Sequence, residues 1–159
     1  KRLAESFIDL LPEAKELKAA PSLAGSPLLE LRERGLIDPL TQVDFSDGML
    51  RILALLYLTV APNPPSLICI EEPENGLYPR LIEAMLETLR ALSRRTQVFL
   101  TTHSVTLLNR LRPEEVCFVH RDEQGSHLRL LDSRADVVKF ADRLGIGSQL
   151  LAGALEDMS

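Results

Sequence analysis

Cysteine is scarce in this chain, with only Cys69 and Cys117 among 159 residues. The two lie far apart and show no Cys-x-x-Cys spacing, which excludes a zinc site and a disulfide framework. Each falls inside an apolar run, and the expectation is a small residue buried in a core. Long apolar stretches are missing as well. None reaches the ~18 residues that a membrane span needs, and the longest, Met49 to Val60, is broken by Arg51 and runs into a proline cluster. Lys1 to Leu11 mixes charge with apolar positions and has no signal-peptide core or cleavage site, so a cytoplasmic setting with no membrane partner is expected. Positive charge is not in excess. A net charge of −5 excludes a strongly basic, self-sufficient nucleic-acid binder, while leaving room for DNA contact through a partner. Internal repeats and low-complexity segments are absent.

What remains is an ordinary globular composition, 45% hydrophobic and 26% charged, sufficient for one domain or lobe with its own core. Leu3, Phe7, Ile8 and Leu11 predict a first helix, ended near Pro12. The signal from Lys15 to Arg34 is weak, with a possible strand at Leu28, Leu29 and Leu31. Gly35 to Asp44 reads as a connection. Ser46 is a good N-cap, and Met49 to Val60, apolar on nearly every side, predicts a buried helix. Leu67 to Ile70 predicts a strand covered on both faces. Pro79 suits the first turn of a helix whose apolar stripe is Leu81, Ile82, Met85, Leu86, Leu89 and Leu92. Val98 to Leu100 predicts the next strand, followed by a short helix to Arg110. Val116 to Val119 pairs with Leu128 to Leu131 through the turn at Asp122 to Gly125. Asp136 to Leu144 is expected to be a closing helix. Strands alternating with amphipathic helices indicate an α/β sheet, in which ligands bind beyond the carboxyl ends of the strands.

Three polar clusters bear on chemistry. Glu71 and Glu72 stand side by side at the exit of a predicted buried strand, where their mutual repulsion has to be offset. Mg²⁺ binds through one or two carboxylates plus water and phosphate oxygens. Adjacent strand residues point in different directions, so one carboxylate can face a hydrated metal while the other faces a water. His103 follows the next strand, where it could reach the same edge and hydrogen-bond a terminal phosphate; His120 and His127 have no such setting. Ser46-Asp47-Gly48 opens a helix, and a helix N-terminus presents N–H groups to an anion. Each cluster alone has a plainer explanation, as an acidic loop, a structural histidine or an N-cap. Their order along the chain is what makes them informative.

Phe-Ser-Asp-Gly-Met-Leu-Arg, then Leu-Ile-Cys-Ile-Glu-Glu-Pro-Glu-Asn-Gly-Leu-Tyr-Pro, then Thr-Thr-His-Ser together resemble the ABC-type ATPase heads. Within these the sequence is most similar to the branch that includes the RecF, SMC and Rad50 heads and the ATPase part of OLD-family proteins, and its spelling is closest to the AAA-like ATPase domain of OLD proteins. The match runs from about Gly35 to Val119. The resemblance implies the C-terminal lobe of a P-loop NTPase of ABC-ATPase type, a mostly parallel sheet flanked by helices with a C-terminal β-hairpin. It implies one lobe over 1–159, with a helix and connecting segment at 1–44, the motif-bearing core at 45–119, and the hairpin and closing helix at 120–159. By position, Ser46, Asp47 and Gly48 match the signature that completes a second subunit's nucleotide site. Glu71 matches the Walker B acid on Mg²⁺, and Glu72 the glutamate that orients or deprotonates the attacking water. Asn75 and Gly76 match the loop crossing the dimer interface, and His103 the switch histidine.

Two departures stand out. Asp47 replaces the glycine usual in transporters, and no Gly-x-x-x-x-Gly-Lys-Ser/Thr occurs, so the backbone nest and lysine that cradle phosphates are expected on a missing N-terminal half. The implied activity is ATP hydrolysis with Mg²⁺ by a dimer of heads, coupled to DNA maintenance or anti-phage defence, with DNA and a separate nuclease or effector as further partners. A nucleotide-dependent scaffold that barely hydrolyses is the alternative; Glu72 and His103 argue against it. A transporter subunit is disfavoured by Asp47 and by the Glu-Pro-Glu-Asn-Gly loop.

Overall fold

The structure, a computed structural model, describes residues 2–21, 25, 27–130 and 145–151. The chain divides into two compact units, Lys1–Thr101 and Thr102–Ser159. No helix among the described residues is long and apolar enough to cross a membrane.

The first unit opens with helix α1, Arg2–Leu10, which buries Phe7 completely. Strands β1 (Ala14–Ala20), β2 (Leu28–Glu33) and β3 (Leu40–Thr41) follow as an antiparallel sheet in the order β1-β2-β3. Leu17 faces Leu31 across the first pair, and both are buried. Glu16 opposite Arg32 and Lys18 opposite Glu30 form ion pairs at 3.6 Å. These pairs are half-exposed and fix register more than they add stability. β1 was not legible from its Lys-Glu-Leu-Lys-Ala-Ala spelling, because those residues are individually good helix formers and the strand is imposed by pairing with β2. A short turn after β3 is tied by Asp44, whose Oδ2 accepts from Thr41 N and Thr41 Oγ1, each at 2.9 Å. Those two hydrogen bonds, the backbone one foremost, hold the Asp44 carboxyl below its ordinary 3.8.

Helix α2, Asp47–Val60, is N-capped by Ser46, whose hydroxyl accepts from Met49 N at 3.2 Å. Ile52, Leu53, Leu55 and Leu56 are buried, and the helix packs against both α1 and α3. The expected all-round burial is not met: Leu50, Tyr57 and Val60 are exposed, leaving α2 with one wet side. Helix α3, Pro79–Leu92, has Pro79 in its first turn, and all six residues of the expected apolar stripe are buried.

A parallel ribbon follows, β4 (Leu67–Glu71) beside β5 (Gln97–Thr101), with α3 as the crossover. A parallel pair requires such a long connection, whereas the remaining described pairs, joined by turns or loops, are antiparallel. The mostly parallel sheet expected from sequence therefore holds for this ribbon alone among the described residues. The ribbon is not covered on both faces. Exposure alternates along each strand, and Leu67, Cys69 and Phe99 are open, with Cys69 directly opposite Phe99. Cys69 is exposed rather than buried because it falls on the open side of the period-two alternation.

The ends of α2 and α3 are fastened by Arg95. Its guanidinium donates from Nη1 to Thr59 O at 3.0 Å, and from Nη2 to Ala61 O at 3.1 Å and Pro62 O at 3.3 Å. A cation there satisfies carbonyls that the last turn of α2 leaves without helical partners. Thr96 Oγ1 donates to Pro65 O, and Gln97 N to Ser66 O at 2.9 Å, leading directly into the β4–β5 register.

The second unit contains α4 (Val105–Leu108), a 3₁₀ turn at Pro113–Glu115, the hairpin β6 (Cys117–Asp122) and β7 (Gly125–Leu130), and α5 (Ile146–Leu151). Ser104 caps α4, and Asn109 Oδ1 accepts from Gly147 N at 2.8 Å and Ser148 N at 3.2 Å, joining α5 to α4. The hairpin begins and ends close to the expected positions, with Asp122 Oδ1 accepting from Gln124 N and Gly125 N in its turn. Cys117, like Cys69, is exposed, since a two-stranded hairpin offers each side chain only one neighbouring strand. The expected closing helix at Asp136 to Leu144 lies outside the described residues.

Removal of the Arg95 guanidinium by Arg95→Ala is expected to lower unfolding stability by about 2 kcal/mol, the range for hydrogen bonds to a charged group. Urea denaturation followed by circular dichroism measures it; Arg95→Lys should recover only part, because one ammonium cannot span three carbonyls in a fork.

Candidate functional site

Two features of the first unit meet at one place. The first is the N-terminus of α2. Phe45, just before the cap, is buried and its ring stacks on Phe7 with centroids 6.4 Å apart, which anchors the start of the helix. Ser46 has extended backbone angles and caps the helix, Asp47 is exposed in the first turn, and Gly48 is buried. A hydroxyl that accepts from Met49 N keeps its own O–H to donate, so capping and anion binding are compatible. Asp47 offsets the positive end of the helix dipole.

The second feature is the turn beyond β4. Glu71 closes the strand opposite Thr101 and is exposed. The next residue, Glu72, has φ +42°, in the left-handed region, and it alone among the described non-glycine residues has positive φ. Such a backbone costs a residue with a Cβ about 1–2 kcal/mol, so the surroundings must enforce it. Four hydrogen bonds do so. Glu72 N donates to Thr101 O at 2.9 Å, and Glu72 O accepts from Asn75 N at 3.0 Å and from Arg51 Nη1 at 3.3 Å. The fourth joins Asn75 Nδ2 to Glu72 Oε2. Pro73 is fully buried and Glu74 is 9% exposed, which pins the turn against the unit.

The two features touch through glycines. A Cβ built on Gly48 would lie 2.3 Å from Gly76 O, and Gly76 itself has φ +77°. Only hydrogen fits at Gly48, and only a residue tolerant of left-handed backbone fits easily at Gly76. Ser46, Asp47, Gly48, Glu72, Asn75 and Gly76, singled out from sequence, are thus gathered at one edge, with Glu71 at the adjoining strand end. His103 stands two residues past the end of β5, exposed, in the second unit. One participant escaped the sequence reading: Arg51, the only charge within Met49 to Val60. Its placement in an otherwise apolar helix, five residues after Ser46, was the available signal.

The donor set suits a magnesium nucleotide. No three His, Cys, Asp or Glu side chains among the described residues converge as a cage, and Mg²⁺ held by phosphates and water requires only one or two carboxylates, such as that of Glu71.

The fold is mixed α/β with helices flanking sheets, consistent with a P-loop NTPase-like architecture. The sequence profile of the family described as "AAA domain, putative AbiEii toxin, Type IV TA system" matches residues 2–109. That is more than half of the chain, and the chain belongs to this family. A comparison with curated proteins finds no match. Among solved structures, one described as "Structural biochemistry of ATP-driven dimerization and DNA stimulated activation of SMC ATPases" is similar with a TM-score of 0.63 at 12% identity, covering 89% of each chain. The Smc head domain with a coiled coil and joint from Pyrococcus yayanosii gives 0.58 at 16% identity, over 89% of this chain and 28% of that one. The Smc head domain with an extended coiled coil from Pyrococcus furiosus, bound to the C-terminal domain of ScpA, gives 0.60 at 15%, over 89% and 37%. At these identities the likeness is one of fold, and this chain spans well under half of either Pyrococcus chain. The kinship expected from sequence holds at the level of the AAA-type, P-loop ATPase superfamily.

The left-handed backbone of Glu72 makes a stability prediction of unusual sign. Glu72→Gly is expected to be more stable than Glu72→Ala by about 1 kcal/mol, the reverse of the order at ordinary positions. Chemical denaturation of the two variants measures the difference.

Proposed function

We propose that this chain is the C-terminal lobe of an ATP-hydrolysing head of the ABC type, close to the AAA-like OLD and SMC branch, working as a dimer of heads. The observation that carries this reading is the seating of Gly48 on Gly76, which joins the Ser46-Asp47-Gly48 helix start to the turn bearing Glu72 and Asn75. A helix N-terminus, a carboxylate pair and a glycine-tight loop in one place constitute positioning and charge stabilisation, which is most of what phosphoryl transfer asks of a protein.

In this reading Ser46, Asp47 and Gly48 approach the γ-phosphate held by a second head, and Asn75 and Gly76 lie along the interface between heads. The phosphate-cradling loop and its lysine come from a separate N-terminal half. Glu71 would hold Mg²⁺ through water; the bound ion offsets charge on the phosphates. Glu72 orients the attacking water and takes its proton as the water oxygen bonds to the γ-phosphorus. The bond from that phosphorus to the β–γ bridging oxygen breaks, and its electron pair leaves with ADP. His103 donates to a terminal phosphate oxygen. One of the similar structures is described by ATP-driven dimerisation and DNA-stimulated activation of SMC ATPases, and the family description names a toxin and a type IV TA system. The first supports a link to DNA; coupling of hydrolysis to DNA maintenance or phage defence, with a separate nuclease or effector as a further partner, belongs to the same proposal.

The two glutamates are expected to fail differently in the intact protein. Glu71→Gln should weaken Mg²⁺–ATP binding, since the charge facing the metal is lost. Glu72→Gln should leave binding in place and cut turnover by about 10²–10⁴, the contribution of a general base, so that ATP-bound dimers accumulate. Gel-filtration mass with ATP, together with hydrolysis rate, separates them. Parent-level hydrolysis by Glu72→Gln would overturn the assignment, and an unmodified intact protein that binds ATP and dimerises while barely hydrolysing it would leave the scaffold reading.

A further inference from the structure

We infer that Arg51 is a positioning residue for Glu72, acting with Asn75 to aim its carboxylate; the inference rests on Glu72 being the group that handles the attacking water.

The residue after a strand end would ordinarily continue the alternation, with its side chain opposite to that of Glu71. The left-handed turn at Glu72, φ +42°, breaks that alternation and sets the side chain's departure angle anew. A backbone in that region reverts unless it is held. β5 holds it from one side through the Thr101 carbonyl, and Arg51 holds it from another, with Nη1 3.3 Å from Glu72 O. Asn75 closes the arrangement, its main-chain N–H on Glu72 O and its side-chain amide on Glu72 Oε2. One carboxylate oxygen is thereby given a fixed direction.

Arg51 is exposed on α2. No packing requirement of that apolar helix calls for a guanidinium, and lysine or leucine would serve the helix as well. What a guanidinium adds is reach and a permanent charge, delivered to the one strained peptide of the turn. Arg51 also rides on the helix that begins at Ser46. The start of α2 and the aim of Glu72 are therefore tied twice, by Gly48 on Gly76 and by Arg51 on Glu72 O. A shift of α2 would move the carboxylate with it.

The test is steady-state hydrolysis of Mg²⁺–ATP by the intact protein. Arg51→Met should lower kcat roughly 10–100-fold, as for a misaimed catalytic group, while the KM for ATP stays within about twofold, since the role inferred for Arg51 is to hold Glu72 O and not to bind ATP. Arg51→Lys should recover part of kcat. In the Glu72→Gln background, Arg51→Met should cause no further loss, because its effect passes through Glu72. If Glu72→Gln is inactive and Arg51→Met, folded by circular dichroism, keeps the parent kcat, positioning by Arg51 is wrong while the role of Glu72 stands. An additive loss in the double variant also overturns it. Parent-level turnover by Glu72→Gln instead removes the reading on which the inference rests. Should Arg51→Met fail to fold, Arg51→Gln, too short to reach the carbonyl, takes its place with the same expected loss, and a parent-level kcat in it is equally decisive.

Discussion

The close approach of Gly48 to Gly76 is the constraint around which the candidate site is built. A single methyl group at position 48 would overlap the Gly76 carbonyl oxygen, so the start of α2 and the turn after β4 can meet only backbone to backbone. From that contact follows the rest. Ser46 caps a helix whose first turn is already pressed against the turn, Gly76 must adopt left-handed backbone to present its carbonyl there, and Arg51, further along α2, comes within reach of Glu72 O. Core packing around Phe45, Phe7 and the α2–α3 face supplies the rigidity that makes so tight an approach possible.

Strain at Glu72 is the second organising element. Left-handed backbone in a residue with a long acidic side chain is unfavourable, and here it persists because hydrogen bonds from β5, Asn75 and Arg51 converge on it. Such outliers concentrate where geometry serves chemistry. Glu71, one residue earlier, is regular strand paired with Thr101. Two adjacent carboxylates with identical chemistry are thus set in different backbone environments, and this supports giving them different tasks.

Much of the fold was legible in sequence, for local reasons. The α3 stripe from Leu81 to Leu92 reads directly from its 3.6-residue spacing, and every expected stripe residue is buried. Ser46 as a cap, Pro79 in a first turn and the Asp122–Gly125 hairpin turn depend on side chains acting on their own backbone. The sequence is silent or misleading where long-range partners decide. β1 has helical composition and is a strand only because β2 lies beside it. Leu67, Cys69 and Phe99 look like core by composition, yet they share one open face of a two-stranded ribbon.

The same division holds for the site. Sequence by itself determined which residue types were available and in what order: a capped helix start, a carboxylate pair at a strand exit, an Asn-Gly turn and a histidine after the next strand. Those properties are local, encoded within a few residues of one another. Only the tertiary structure decided that Gly48 lies on Gly76, that Glu72 is turned left-handed while Glu71 is not, and that Arg51 and Arg95 donate to carbonyls 21 and as many as 36 residues away. A hydrogen bond between distant segments depends on how helices and strands pack. No spacing rule along the chain carries that information, because the contact exists only once the intervening elements have folded back on themselves.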